Sequence, residues 1–184
     1  MIYKQLYKTP DGFDDLIMSS DGELLTALCF EHQCHTTGFT AKRLEIFDCT
    51  HDWLDMYFSG GIPDFTPPLR IEGLTPFRQA VTDTMCRIPY GATVTYGDIA
   101  KRIAAERGII KMSAQAVGGA VGRNPICIII PCHRVVGVNG NLIGYGGGMS
   151  NKLALLALEH NDMSRFRIPP LKITYIDKYI IVRY

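Results

Sequence analysis

One segment narrows the possible folds more than any other: Asn124-Pro125, then Ile126-Cys127-Ile128-Ile129-Ile130, then Pro131-Cys132-His133-Arg134-Val135. Four of the five residues between the prolines are isoleucine, and β-branched side chains suit a pleated, buried strand. The run is strand length, far short of the ~18 consecutive apolar residues of a membrane span. A buried strand inside a globular domain is therefore expected at 126–130. Pro131 has no backbone N–H and interrupts strand pairing. The Cys132 thiol is thus placed where a strand gives way to a pocket.

The flanking sequence predicts a mixed α/β (α+β) fold in two parts. Residues 1–74 read as a small sheet domain. Asp11-Gly12 and Asp21-Gly22 are turn signals, and Leu24 to Phe30 is strand-like. Trp53, Leu54, Met56, Tyr57 and Phe58 have helical spacing, which Ser59-Gly60-Gly61 ends. Pro63 to Pro68 contains three prolines and reads as a linker, with the boundary near Glu72 to Thr75.

Residues 75–164 are mostly helical. Thr75-Pro76 opens a helix running to Arg87, with Phe77, Val81, Met85 and Ile88 on its buried stripe. Thr95 and Asp98 form a capping box for a helix to about Glu106, with Ile99 and Ile103 inward, and Gly108 follows its end. Ser113 caps a third helix, Ala114 to Val121. The last two helices, tightly joined, constitute a helix-turn-helix. The second is nearly bare of side chains at Ala114, Ala116, Gly118, Gly119 and Ala120. Either close packing or close approach to a ligand accounts for that. A closing helix from Asn151 to about His160 puts Leu153, Leu156 and Ala157 inward. Residues 165–184 are an extension, read as an added strand or a loose surface segment.

Charge is segregated. Met1 to Thr84 holds 6 Lys or Arg against 13 Asp or Glu, whereas Met85 to Lys152 holds 8 against 2. A basic second half that contains a helix-turn-helix points to an anionic partner such as nucleic acid; segregated solvated surfaces are the plainer alternative. The N-terminus shows no signal-peptide apolar region, so a cytoplasmic location is expected, with the six cysteines reduced. Cys29, His32, Cys34, His35, Cys49 and His51 lack the CxxC pairing of structural zinc sites. No metal is expected.

Chemistry concentrates at Cys132. A thiol becomes a nucleophile when a base or positive field draws off its proton. His133 is a candidate base, and Glu159 on the closing helix can orient it as in a Cys-His-acid triad. A structural buried cysteine remains the rival reading, and a cysteine hydrolase another.

Pro131-Cys132-His133-Arg134-Val135 resembles the signature of the O6-alkylguanine-DNA alkyltransferases. Ile88 to Ala100 is similar to the segment opening that family's helix-turn-helix, Ala116 to Ala120 to its recognition helix, Asn124-Pro125 to its asparagine hinge, and Tyr145 to Gly148 to its active-site loop. The resemblance covers 75–159 strongly and 24–60 weakly. It implies a ribonuclease-H-like sheet domain over 1–74. It also implies a single-turnover transfer of an alkyl group from O6 of guanine to Cys132, with O4 of thymine a possible second substrate, and no cofactor. His133 would relay the thiol proton, Glu159 would partner His133, Asn124 would brace the site, and Tyr96 would donate to the departing guanine. A monomer would meet double-stranded DNA through the minor groove with the damaged base flipped out. The DNA surface is assigned to Thr95, Tyr96, Gln115, Ala116, Gly118, Gly119, Arg123, Arg134, Tyr145, Gly146, Gly147 and Lys152. The family's usual arginine on the recognition helix, which fills the gap left by the flipped base, is Gln115 here; Gln115 would still occupy that gap through amide contacts but lacks cation–π stacking, so weaker DNA affinity or slower flipping is expected. Relatives that lack the cysteine only bind the lesion, and such a binding module is the alternative from a different class of function.

Overall fold

The computed structural model of the 184-residue chain describes residues 1–34, 38–40, 42–168, 172–176 and 179–183. Strands β1 (Tyr3–Tyr7), β2 (Leu16–Ser20) and β3 (Leu25–Phe30) form an antiparallel sheet in that order. β2 is central and buried along its whole length. The sheet leads through a 3-10 turn at Glu31–Gln33 to α1 (Glu45–Phe58). Helix α1 starts eight residues before Trp53 and buries Ile46, Phe47, Trp53, Leu54, Tyr57 and Phe58. Beyond Ser59 the proline-rich segment has no helix, but it is not detached. Leu69 bridges Leu25, with the Leu25 N–H donating to Pro68 and the Arg70 N–H donating back to Leu25, both at 2.9 Å.

The second half follows its capping signals closely. α2 (Pro76–Cys86) is capped by Thr75, whose side chain accepts from the Arg78 N–H. β4 (Val94–Thr95) leads into α3 (Tyr96–Glu106), opened by the reciprocal Thr95–Asp98 capping box. Ser113 caps α4 (Ala114–Val121) by accepting from the Ala116 N–H. β5 (Val135–Val136) pairs in parallel with β4, and α5 (Met149–Leu158) closes the helical part. Its inward residues are Leu155 and Leu156. Ala157, expected inside, is exposed because it falls on the opposite side of the helix. β6 (Lys172–Ile176) and β7 (Tyr179–Arg183) pair with each other as an antiparallel hairpin. One continuous apolar core draws on both halves of the chain, including Leu16, Leu28 and Leu54 from the first and Val81, Ile99 and Leu155 from the second.

Two expectations are corrected. Ile126–Ile130 is not a strand. Only Ile126 pairs, as a single bridge to Leu28, and 127–129 form a turn in which Ile128 has φ 67°. Ile126, Ile128 and Ile130 are buried as their apolarity demands, but apolarity sets burial and not period. The polar groups of this buried turn are answered by the Asn124 side chain. Its Nδ2 donates to the Ile126 and Ile130 carbonyls at 3.1 and 2.8 Å, and its Oδ1 accepts from the Ile126 N–H at 3.1 Å. Secondly, Cys29 and Cys34 are joined as a disulfide rather than left as thiols, with Cα atoms 6.4 Å apart. The 3-10 turn between them folds Cys34 back toward the end of β3. Among the described residues no helix is long and apolar enough to cross a membrane.

Candidate active site around Cys132

Pro131 ends the buried turn, and the chain enters a one-turn 3-10 helix, Cys132–Arg134, before β5. The β4–β5 pairing sets Thr95 opposite Val136, which brings the first residue of α3, Tyr96, to the Cys132 side of the molecule. The Cys132 side chain is buried, and Asn124 Nδ2 donates to its Sγ at 3.1 Å. The residue that braces the isoleucine turn therefore also holds the sulfur. Cys132, Tyr96, Asn124, Tyr145 and Gly147 line a small, partly open cavity of 40 Å³. That space holds a few solvent-sized molecules and not a purine.

His133 and Glu159 are both fully buried and meet at 2.8 Å through His133 Nε2 and Glu159 Oε1. Among the described residues the other imidazole nitrogen, Nδ1, is buried without a hydrogen-bond partner. Glu159 collects further donors. Arg134 Nε and Nη2 fork onto the carboxylate at 2.8–3.0 Å, the Tyr57 hydroxyl donates at 2.8 Å, and the Gly91 N–H donates at 3.2 Å. Burial opposes the charge on Glu159. The hydrogen bonds from His133 and Arg134 overcome it and hold the carboxyl down at about 2. Burial also drives His133 below its usual value, against the opposing pull of Glu159. The imidazole is therefore kept neutral, able to accept a proton at Nδ1. Burial raises the Cys132 thiol, while the Asn124 hydrogen bond and the Lys152 charge pull it back.

The loop before α5 forms the remaining wall. Gly148 takes φ 82° at the start of α5. A Cβ on Gly147 would lie 2.5 Å from the Tyr145 ring and 2.6 Å from Phe30, so only glycine lets Tyr145 pack here. Asn151 Nδ2 donates to the Gly147 carbonyl at 2.7 Å and to Asp14 at 2.8 Å, tying the loop to the first half of the chain.

Residues 76–161 match the sequence profile of the 6-O-methylguanine DNA methyltransferase DNA-binding domain. The methylated-DNA–protein-cysteine methyltransferase of Haemophilus influenzae is 38% identical over 181 residues, 96% of this chain and 90% of that one. This chain belongs to the methylated-DNA–protein-cysteine methyltransferase family. The Mycolicibacterium paratuberculosis member is 43% identical over 93% of this chain and 98% of its own. A solved structure of the Mycobacterium tuberculosis protein in complex with DNA superposes with a TM-score of 0.71 at 38% identity, covering 89% of this chain and 94% of that one.

Within this methyltransferase fold, the residues assigned to a DNA surface divide. Gln115, Ala116, Gly119 and Arg123 are exposed on or just beyond α4. Gly118 is half-buried because the Tyr96 ring lies under it. Thr95, Tyr96, Gln115, Gly118, Val138 and Ile143 border an open, largely apolar groove of 500 Å³. The Tyr96 hydroxyl donates to the Ile143 carbonyl at 3.3 Å. Arg134 and Lys152 do not belong on this surface. Arg134 is turned inward by its fork onto Glu159, and Lys152 is fully buried with Nζ donating to the Val135 carbonyl at 2.7 Å. Sequence reasoning missed Tyr57 and Gly91 as Glu159 donors. Tyr57 carried only the helical periodicity of a core aromatic, and nothing in its spacing marked the hydroxyl.

Proposed function

We propose that the protein repairs alkylated DNA by direct reversal, transferring an alkyl group from O6 of guanine to Cys132 in one irreversible event. The observation that carries this reading is the pairing at Cys132: a sulfur held by Asn124 on the wall of a cavity, followed in the chain by a neutral histidine already engaged by an ionised glutamate. His133 Nδ1 takes the thiol proton directly or through a water. The Cys132 sulfur attacks the alkyl carbon, the new S–C bond forms as the C–O6 bond breaks, and the guanine leaves with its charge met by a hydrogen bond or proton from Tyr96. The product is a thioether, which none of these residues is equipped to hydrolyse. Each molecule therefore acts once.

DNA is the partner, as the Mycobacterium tuberculosis relative's complex supports. We place α4 in the minor groove, where its slim face of Ala116, Gly118 and Gly119 fits, with the lesion flipped into the site and the protein acting as a monomer. A base does not fit the 40 Å³ cavity as it stands, and in our reading the Gly144–Gly147 segment that lines it shifts on entry. In that shift Tyr96 exchanges the Ile143 carbonyl for the guanine.

The test is the intact mass of the protein after incubation with methylated duplex DNA. One methyl group per protein is expected, absent from Cys132→Ala. DNA binding without any mass gain would make the chain a lesion-binding protein and overturn the proposal.

A further inference from the structure

The connection from α3 to α4 carries an apolar side chain that the fold does not use. Helix α3 ends in a Schellman motif: the Gly108 N–H donates to the Ala105 carbonyl at 3.2 Å, the Ile109 N–H donates to the Ala104 carbonyl at 3.0 Å, and Gly108 takes φ 64°. Such an ending commonly places an apolar residue where Ile109 stands, and Ile109 is a little under half exposed. At the other end, Met112 packs against the core and Ser113 caps α4. Both helix ends are therefore satisfied without the side chains of residues 110 and 111. Ile110 nevertheless stands fully exposed.

One exposed isoleucine is ordinary on a protein surface. Its surroundings set this one apart. It lies on the chain entering α4, three residues before Ser113 and five before Gln115. Ala114 and Gln115 border the open groove beside Tyr96. Residues 101–111 carry Lys101, Arg102, Arg107 and Lys111 against Glu106 alone. Arg102 is paired with Glu106 and Lys101 with Asp98, while Arg107 donates to the Pro76 carbonyl at 2.8 Å. Lys111 is exposed and, among the described residues, makes no ion pair. The positive charge of the segment suits a phosphate backbone and opposes docking against a second copy of itself.

We propose that Ile110 is an apolar wedge that enters the minor groove beside α4 and opens a base step near the lesion, with Lys111 on a flanking phosphate. The proposal rests on α4 lying in that groove with Gln115 at the gap left by the flipped base. Three extended residues span at most about 11 Å, and two helical residues add ~3 Å. Duplex DNA rises about 3.4 Å per step, so the wedge falls within about four base pairs of the damaged guanine. Isoleucine is among the side chains that minor-groove proteins insert between base steps, partly unstacking them. A step opened there weakens the stacking that holds the damaged base inside the helix, so the wedge favours flipping.

The test uses the full chain carrying Cys132→Ser, so that the lesion persists, and duplexes with single 2-aminopurine bases within four pairs of O6-methylguanine. Binding should raise the fluorescence at one flanking step as that base unstacks. Adding Ile110→Ser should abolish the rise, and adding Ile110→Leu should keep it. Ile110→Ser should weaken affinity about tenfold and leave the slope of log affinity against log salt unchanged, because no counterion is involved. Lys111→Gln should instead make that slope shallower by about one. Urea unfolding of Ile110→Ser should match the protein without it, since the side chain makes no part of the core. Equal fluorescence and affinity with and without Ile110→Ser overturn the proposal, as does a rise at no flanking step. Self-association that depends on Ile110, with DNA fluorescence unaltered by Ile110→Ser, overturns it in favour of a second copy. Any of these results, in a chain that still takes a methyl group onto Cys132, leaves the alkyl-acceptor reading standing; a chain that does not bind the duplex at all sinks both.

Discussion

Glu159→Gln tests the energetic centre of the site. The substitution keeps the shape of the side chain and removes its charge, leaving Arg134 and the Tyr57 hydroxyl with a weaker acceptor. An ordinary glutamate ionises near 4.5, whereas Glu159 stays ionised down to about 2. At 1.36 kcal/mol per pH unit, that interval corresponds to about 3 kcal/mol of stability carried by the charged form. Because the folded value lies below the unfolded one, this contribution is complete above pH 4.5 and is lost as pH falls toward 2. His133 adds to the same direction at higher pH. Its folded value is depressed, so stability falls as pH drops below the usual 6.5, where only the unfolded histidine takes a proton. Urea unfolding at neutral pH should therefore place Glu159→Gln about 3 kcal/mol below the parent. The gap should close between about pH 5 and about pH 2.5, as the parent loses the same charge. Methyl transfer should slow about a hundredfold, since the base loses its orienting partner. A neutral-pH difference below about 1 kcal/mol, or a gap that does not change with acid, would refute the claim that a buried, ionised carboxylate holds the site.

Three further substitutions probe other parts of the molecule. Asn124→Ala strips the buried turn of its polar partner at Ile126 and Ile130 and frees the Cys132 sulfur; a loss of at least ~2 kcal/mol in urea unfolding is expected. Gly147→Ala forces a methyl against the Tyr145 and Phe30 rings, so about 1–3 kcal/mol of destabilisation and a slower single-turnover rate should be measured together. Gln115→Arg should tighten binding to methylated duplex DNA severalfold or more, the equivalent of ~0.5–2 kcal/mol of cation–π stacking, in an equilibrium titration. An unchanged affinity and rate would refute the expectation that glutamine in place of arginine weakens binding or slows flipping.

Local chemistry wrote most of the second half legibly. Thr75-Pro76, Thr95 with Asp98, and Ser113 are caps whose side-chain oxygens have one geometric use, and each opens the helix expected of it. Cys132, His133 and Glu159 could be nominated from the Cys-His pair after Pro131, the triad logic that adds a carboxylate, and the resemblance of Pro131 to Val135 to a known signature. The isoleucine run could not be read correctly. Five apolar residues between two prolines satisfy a strand and a buried turn equally, and the deciding group was the side chain of Asn124, outside the run. Arg134 and Lys152 were misplaced for a related reason. Sequence shows a positive charge but not which side of the chain it faces, and long stems carry both ammonium and guanidinium inward to partners far along the chain. Tyr57 was hidden because its partner is 102 residues away.

The convergence on Glu159 ties reactivity to completion of the fold. Its donors come from α1, from the turn before β4, and from the segment following Cys132, while the carboxylate itself arrives only at the end of α5. The network around the histidine therefore closes only when segments up to 102 residues apart have packed together. A chain in which those segments have not met lacks the carboxylate that orients His133, so the chemistry at position 132 depends on the finished fold.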